Sequence, residues 1–222
     1  VSWLGYPGTL GHPQLADFLI GDPVVTPADH AEHFSERIVQ MPHCYQPNDR
    51  ERTASEPPSR EQAGLPKDSF VFCCFNSSYK ITADVFDTWC QLLHETPESV
   101  LWLLEPAPQT ISNLLRESSR RQIDSKRIIF APAKPLAEHL GRLQLADLAL
   151  DTFPYTSHTT ASDALWAGVP LITRIGETFA SRVAASLLHA VGLPELVATS
   201  EDEYLLLVRT LVRSRETLDR TR

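Results

Sequence analysis

From position 69 onward, short apolar runs alternate with longer amphipathic stretches. The apolar runs predict buried strands, and apolar residues spaced three or four apart predict helices. Strict alternation of strand and helix predicts an α/β fold, in which a Rossmann-like parallel sheet carries helices on both faces. The predicted strands are 69–75, 100–104, 127–130, 146–150 and 169–173, and the predicted helices are 81–95, 110–122, 136–143, 158–167, 181–191 and 200–213.

The segment 145–173 carries the clearest sign of a binding site. A short apolar strand is followed by a loop and then by a helix that opens at 158–160 and closes at Gly168. Thr159 and Thr160 therefore lie at a helix N-terminus, beyond the carboxyl end of a buried strand. Free backbone N–H groups and the positive end of the helix dipole meet there, which suits a phosphate.

Three basic or aromatic side chains follow other strands at the same sheet edge. Lys80 comes shortly after the first strand of the regular region, and His139 and Arg142 follow the third. In an open parallel sheet, ligands bind at this edge. A lysine there suits a phosphate, and the His/Arg pair on one helix face suits a nucleotide base.

These features also have plain structural explanations. Thr160 and Asp163 resemble a capping box, and many helices that begin this way bind nothing. Lys80 could be a solvated lysine, although the dipole at a helix start disfavours one. His139 and Arg142 could belong to a surface helix. The sequence leaves these alternatives open.

Composition excludes several classes of function. The 222 residues are 42% hydrophobic and 22% charged, which is typical of a globular protein in water, and the net charge is −8. That sign argues against a nucleic-acid partner and against an anionic membrane surface. The chain has no apolar run long enough to span a membrane and no signal-peptide pattern. Together with four cysteines in no metal-binding spacing, this predicts a cytoplasmic protein without a metal site.

The first third of the chain is less regular. Residues 1–50 hold a Gly/Pro loop, an apolar patch at 18–20 and a polar helical segment near 27–37, and their abrupt apolar start suggests the tail of a preceding domain. Residues 46–68 hold four prolines and few apolar side chains, as a linker or exposed loop would. The predicted organisation is 1–50 as the end of a first domain, 51–68 as a linker and 69–222 as the regular domain.

Several common catalytic motifs are missing. No GxGxxG follows the first strand, and neither a P-loop nor a GxSxG elbow is present. The acidic DxD pair that binds a divalent metal in some nucleotide-sugar enzymes is also missing. These absences argue against the simplest dehydrogenase, ATPase and hydrolase interpretations.

Longer motifs resemble one known family. They are LGYPGT at 4–9, FNSSYK at 75–80, RIIFAPA at 127–133, QLADLALDTFP at 144–154, HTTASDALWAGVPLIT at 158–173 and GETFASRVAASLL at 176–188. In this order they closely resemble the protein O-GlcNAc transferases, glycosyltransferase family 41, in a bacterial form and over the C-terminal catalytic region. The resemblance implies a GT-B enzyme with two Rossmann-like domains. It implies inverting, metal-independent transfer of a sugar, with GlcNAc expected, from a UDP donor to Ser or Thr hydroxyls of proteins.

The resemblance also implies roles for individual residues. Lys80 would contact the UDP diphosphate, as would the backbone at His158, Thr159 and Thr160. Asp163 would bind the ribose. His139 would lie beside the uracil with Arg142 as its neighbour, and the backbone at Ala133 and Lys134 would bind the same base. Ser77 stands where animal members carry a glutamine that touches the diphosphate. Tyr155 stands where they carry a small cysteine near the N-acyl group, so it would narrow a sugar pocket that the loop around Gly8 also lines.

The family resemblance leaves the general base unassigned, because the histidine-bearing motif of the first domain is not in this sequence. TPR repeats usually precede the catalytic region of the family and are expected as a partner module. The alternatives are a UDP-binding fragment or interaction module without turnover, a UDP-sugar transferase with a small-molecule or lipid acceptor, and a nucleotide-sugar epimerase.

Overall fold

The computed structural model describes all 222 residues, and its centre is a six-stranded parallel sheet. The strand order is β5-β4-β3-β6-β7-β8, so the chain builds outward on one side of β3 and then crosses to the other. The strands are β3 (Phe70–Cys74), β4 (Ser99–Leu104), β5 (Ile128–Ala131), β6 (Leu148–Leu150), β7 (Leu171–Arg174) and β8 (Val197–Ala198). The helices are α1 (Ala83–Glu95), α2 (Pro108–Arg120), α3 (Leu136–Leu143), α4 (Thr159–Trp166), α5 (Val183–Ala190), α6 (Glu201–Arg213) and α7 (Arg215–Arg220).

The two faces of the sheet are buried in separate cores. Successive strand residues point to opposite faces, so Cys74 packs in the core that includes α1 and α6, while its neighbour Cys73 packs in the core under α3, α4 and α5. Phe72 and Trp102, on opposite faces, are almost fully buried. The predicted α/β sheet with helices on both faces is confirmed.

Most predicted helix ends are confirmed. Thr82 caps α1 by accepting from the backbone N–H of Val85, and Ser200 caps α6 by accepting from that of Glu203. Gly168 follows α4 with a φ of +73°, a conformation that favours glycine. The short strand β8 and the helix α7 were not predicted.

The N-terminal part contains a small sheet that the hydrophobic pattern did not predict. The strand β1 (Phe18–Gly21) pairs in parallel with β2 (Arg37–Gln40). The polar helix predicted near 27–37 is wrong in extent, because only a 3-10 helix at Ala28–His33 forms before the chain extends into β2. Residues 27–37 are mostly polar and so offer no continuous apolar face to hold a longer helix, and Pro27 stands at the N-cap of the 3-10 helix.

A buried carboxylate joins this N-terminal part to the main domain. Asp22 is fully buried, and its Oδ1 accepts from the backbone N–H groups of Val24 and Val25. Its Oδ2 accepts from the backbone N–H of Tyr45 at 2.8 Å and from Ser186 Oγ on α5 at 2.6 Å. The two parts therefore share one set of buried hydrogen bonds.

The proline-rich segment packs against the main domain. It forms no helix or strand, as a loop would, but Leu65 is buried, and Ser55 Oγ and N–H both donate to the backbone oxygen of Ala137 on α3. A Cβ added at Gly141 would lie 2.5 Å from the backbone oxygen of Ser55, so glycine permits this close approach. Residues 46–58 are called the strap below.

None of the helices combines the length and hydrophobicity needed to cross a membrane.

Candidate functional site

Three consecutive backbone N–H groups stand free at the start of α4. Those of Thr159, Thr160 and Ala161 make no hydrogen bond within the protein. His158 is the N-cap residue, and its side chain makes no capping bond. The capping-box explanation is wrong here, because Thr160 lies inside the helix. Free donors and the helix dipole together form a site for an anion at the sheet edge.

The loop before α4 is held by a buried carboxylate. Asp151 Oδ1 accepts from the backbone N–H groups of Thr152 and Ser157 and from Ser157 Oγ, at 2.6–2.8 Å. Its Oδ2 accepts from Thr173 Oγ1 on β7 at 2.6 Å. Burial raises the pKa of Asp151, and these hydrogen bonds oppose the rise. The carboxyl group thus fixes the path of the loop from the end of β6 to α4.

A buried amide ties the end of β3 to the same loop. Asn76 Nδ2 donates to Ser157 Oγ at 2.6 Å and to Thr152 Oγ1 at 3.0 Å. Its Oδ1 accepts from Thr160 Oγ1 at 2.6 Å. Asn76 therefore fixes the position of the first turn of α4 relative to the end of β3.

Lys80 reaches toward this loop from a short 3-10 helix that begins after Ser77. Its Nζ donates to the backbone oxygen of Thr156 at 2.8 Å and lies 3.9 Å from the centroid of the Tyr155 ring. Burial lowers the pKa of Lys80, while the negative charge of Asp151 opposes the shift. The ammonium group therefore lies beside the loop that leads into the free N–H groups, as the sequence predicted. Ser77 is exposed at the same edge.

Tyr155 lies among aromatic groups at the mouth of the site. Its ring centroid is 5.1 Å from that of His158 and 6.3 Å from that of Tyr79. Burial raises the pKa of Tyr155, and nearby Tyr79 and Tyr6 add to the rise.

His139 and Arg142 form a fixed pair on α3. Arg142 Nε donates to His139 Nδ1 at 3.2 Å, and Arg142 Nη1 donates to the backbone oxygen of Pro132. The ring of Phe75, from the end of β3, packs against both, 5.0 Å from the His139 centroid and 4.9 Å from the Arg142 guanidinium carbon. The Arg142 contacts stabilise the loop that the exposed Ala133 and Lys134 occupy.

A cavity of about 330 Å³ lies beside this pair, between α3, the sheet and the strap. Arg142 and Lys134 line it, with Trp102 from β4 on its wall. The indole N–H of Trp102 is buried and has no hydrogen-bond partner. A group with a carbonyl oxygen in this cavity would supply the missing acceptor. The Lys134 side chain is paired with Glu138 at 3.0 Å.

Asp163 lies one turn into α4 and is held by a residue that sequence reasoning missed. Arg52 of the strap donates through Nη1 to Asp163 Oδ1 at 2.8 Å. Both side chains are about nine-tenths buried. Burial raises the pKa of Asp163, and Arg52 opposes the rise. The Oδ2 atom of Asp163 accepts no hydrogen bond in the protein and is not fully buried.

We expect both site histidines to titrate far below the usual range. Burial lowers the pKa of His139 and of His158 from 6.5 to about 4, and the charges of Arg142 and Lys80 respectively add to the shift. Both rings are therefore neutral at pH 7. Because the unfolded chain binds these protons more readily, the stability they contribute is present above pH 6.5 and is lost toward pH 4.

Histidine ring resonances in NMR spectra recorded between pH 7.5 and 3.5 would check this. Two resonances, assigned by His139→Gln and His158→Gln, should stay unchanged until below pH 5.5, while the same rings in the chain unfolded by urea titrate near the ordinary value. A midpoint above 6 for either ring in the folded chain would contradict the described burial.

The residues that organise the site were harder to predict than the candidate residues at the sheet edge. Lys80, Thr159 and Thr160 follow from sheet topology, and the structure places Lys80 against the loop that leads into α4. Asn76 is adjacent to a predicted strand end, a position that could have marked it. Asp151 gave the same weak signal. Arg52 gave none, because its partner lies far away in the chain.

The fold defines an α/β domain of the Rossmann-like, GT-B type, with free backbone N–H groups at the carboxyl edge of its sheet. Residues 1–56 and 51–222 match the model of glycosyl transferase family 41. The chain belongs to this family, and the resemblance inferred from its motifs is confirmed.

Named relatives point the same way. The chain is 39% identical over 211 residues to the probable UDP-N-acetylglucosamine–peptide N-acetylglucosaminyltransferase SEC of Arabidopsis thaliana, a match covering 92% of this chain and 22% of that protein. It is 44% identical over 147 residues to the UDP-N-acetylglucosamine–peptide N-acetylglucosaminyltransferase of Caenorhabditis elegans, covering 66% of this chain and 13% of that protein. The chain thus spans about a fifth or less of the length of these relatives.

Solved structures agree on the fold. A mutant of the Thermobaculum terrenum O-GlcNAc transferase superimposes with a TM-score of 0.88 at 33% identity, covering 99% of this chain and 41% of that one. The UDP-GlcNAc 2-epimerase of Neisseria meningitidis, bound to UDP-GlcNAc, matches with a TM-score of 0.53 at 11% identity over 72% of this chain and 41% of that one. The second match shows the fold alone.

Proposed function

We propose that this chain forms the donor-binding part of a protein O-glycosyltransferase, which moves a sugar from a UDP donor to Ser or Thr hydroxyls of proteins. The observation that carries the proposal is the meeting of Lys80 with the loop that ends in the free N–H groups of Thr159 and Thr160. An ammonium group and a helix N-terminus on one loop suit a diphosphate. The names of the relatives support UDP-GlcNAc as the donor and a peptide as the acceptor.

The neighbouring groups suit the rest of a uridine nucleotide. The neutral ring of His139 can lie against a base, and Arg142 and the unpartnered Trp102 N–H can donate to base carbonyl oxygens. The free Oδ2 of Asp163 can accept from a ribose hydroxyl. We therefore assign the base to the α3 side of the site, the ribose to Asp163 and the diphosphate to α4 and Lys80.

The proposed reaction is a single displacement. The acceptor hydroxyl oxygen bonds to the anomeric carbon from one face while the bond from that carbon to the phosphate oxygen breaks on the other, so the configuration inverts. The acceptor proton leaves to a base that we do not assign, and the electron pair of the broken bond remains on UDP. Lys80 and the α4 N–H groups stabilise that charge as it develops. We propose that they do so without a divalent metal.

Tyr155 bears on which sugar is transferred. Its ring lies under the Lys80 ammonium and beside His158, next to the proposed phosphate site. A bulky ring there leaves less room for an N-acyl group than a small residue would. GlcNAc remains the proposed sugar, because the relatives are named for it, and Tyr155 is the proposed determinant of how well it fits. TPR repeats as a partner module and a cytoplasmic location remain predictions from the sequence.

Calorimetry of the chain with UDP and with uridine tests this proposal. We expect UDP to bind at least roughly tenfold more tightly than uridine, since each hydrogen bond to a charged group contributes on the order of 1.5–3 kcal/mol. The affinity for UDP should be the same with and without EDTA.

Two results would contradict the proposal. Equal affinities for UDP and uridine would show that the α4 start and Lys80 do not hold a diphosphate. Failure of both to bind would favour an interaction module. Mass spectrometry of protein acceptors, with the complete enzyme and UDP-GlcNAc, would separate a protein acceptor from a small-molecule or lipid acceptor.

A further inference from the structure

The strap places the largely buried side chain of Arg52 against α4, beside the proposed ribose site. Arg52 Nη1 bonds to Asp163 Oδ1 at 2.8 Å, and Nη2 bonds to Ser162 Oγ at 3.2 Å. Its Nε donates to the backbone oxygen of Asp49 at 3.2 Å, and its guanidinium carbon lies 4.7 Å from the centroid of the Trp166 ring. The planar guanidinium donates several hydrogen bonds and also stacks on an aromatic ring, and a lysine ammonium group cannot do both.

A second contact holds the same turn of α4. Ser162 Oγ donates to Asn48 Oδ1, so the strap contacts two successive residues of the helix. These contacts of Arg52 and Asn48 with α4 therefore fix both the position of the strap and the rotamer of Asp163. They also leave Asp163 Oδ2 as the oxygen that accepts no hydrogen bond in the protein.

We infer that Arg52 is a positioning residue for the donor nucleotide, holding Asp163 ionised and turned so that its free oxygen accepts from the ribose hydroxyls. This inference rests on the proposed function, since it presumes that a uridine nucleotide occupies the site. Without Arg52, a carboxyl group this buried would protonate or rotate toward solvent. Either change removes the acceptor without touching the diphosphate contacts.

The test compares two ligands on the chain. Wild type and Arg52→Met are titrated calorimetrically with UDP and with 2′,3′-dideoxy-UDP, which keeps the base and diphosphate but lacks the ribose hydroxyls. We expect Arg52→Met to weaken UDP about tenfold, in the range for loss of a hydrogen bond to a charged group. It should leave the affinity for the dideoxy ligand within about twofold of wild type.

A matched variant and a double variant sharpen the comparison. Arg60→Met breaks another ion pair that joins the proline-rich segment to a buried aspartate, Asp147 at 3.1 Å, outside the site. It should leave the affinity for both ligands unchanged. In the Asp163→Asn background, adding Arg52→Met should change the affinity for UDP by less than twofold, because the carboxylate through which Arg52 acts is already gone. If Arg52→Met does not fold, Arg52→Lys is compared in the same way.

The outcomes separate the inference from the function it rests on. An equal loss for UDP and the dideoxy ligand would overturn the positioning role and indicate direct contact with the diphosphate or a general loosening of the site. Unchanged UDP affinity would overturn it as well. If wild type binds neither ligand, the proposed function itself fails and the inference fails with it.

Discussion

Replacing Lys80 by alanine is expected to cut sugar transfer by the complete enzyme at least ~100-fold while leaving the fold intact, the loss typical of removing one charge-stabilising donor. The Lys80 ammonium lies beside the loop that leads to the free N–H groups of α4. Lys80 donates a hydrogen bond to the backbone oxygen of Thr156. Thr156 is also held independently, because its N–H and its hydroxyl group both donate to the backbone oxygen of Ala180. The loop should therefore keep its shape when the ammonium is lost.

The measurement is the initial rate of transfer to a protein acceptor, with the unfolding temperature recorded for each variant. Lys126→Ala is the matched control, because Lys126 is exposed and precedes β5, at the opposite edge of the sheet. It should retain the wild-type rate. Wild-type activity in Lys80→Ala would rule out the proposed role of Lys80 in charge stabilisation.

Asp151→Ala is expected to reduce the free energy of unfolding by about 3–5 kcal/mol and to abolish detectable UDP binding. The change removes the acceptor for four buried donors on Thr152, Ser157 and Thr173. Buried donors without partners are costly. Because the loop between β6 and α4 depends on these bonds, the free N–H groups at the helix start should lose their arrangement too.

Urea unfolding followed by circular dichroism gives the stability, and calorimetry gives the affinity. Asp151→Asn keeps the shape and one carbonyl acceptor, so it should be less destabilising than alanine. Asp68→Ala, an exposed acid before β3, should change neither quantity. A stability within 1 kcal/mol of wild type in Asp151→Ala would show that the loop is held by something other than this carboxylate.

Much of the sheet could be predicted because its signals are local. The five predicted strands after position 69 are short apolar runs, and most of the predicted helices carry an apolar face, with side-chain caps at Thr82 and Ser200. The carboxyl edge of a parallel sheet then places Lys80 and Thr159 together without further information. This is why the candidate residues at the sheet edge could be named from the sequence, while the roles of the residues behind them could not.

What could not be predicted depends on contacts between distant parts of the chain. Arg52 and Asp163 are separated by 111 positions, and nothing in the composition of the proline-rich segment distinguishes a packed strap from a free linker. The strands β1 and β2 were not predicted for a related reason. Each strand has only four residues, and much of what makes such a short segment extended is its pairing with the other.

Asp22 has a consequence for anyone who wishes to exchange parts between members of this family. Its four hydrogen bonds draw on residues 24, 25 and 45 and on Ser186 of α5, so a crossover anywhere between positions 46 and 182 recombines the two sides of one buried acid. A chimera joined in the proline-rich segment would take Asp22 from one parent and its partner on α5 from the other, so the buried hydrogen bonds between them would no longer match. Residues 1–45 and α5 are best transplanted together.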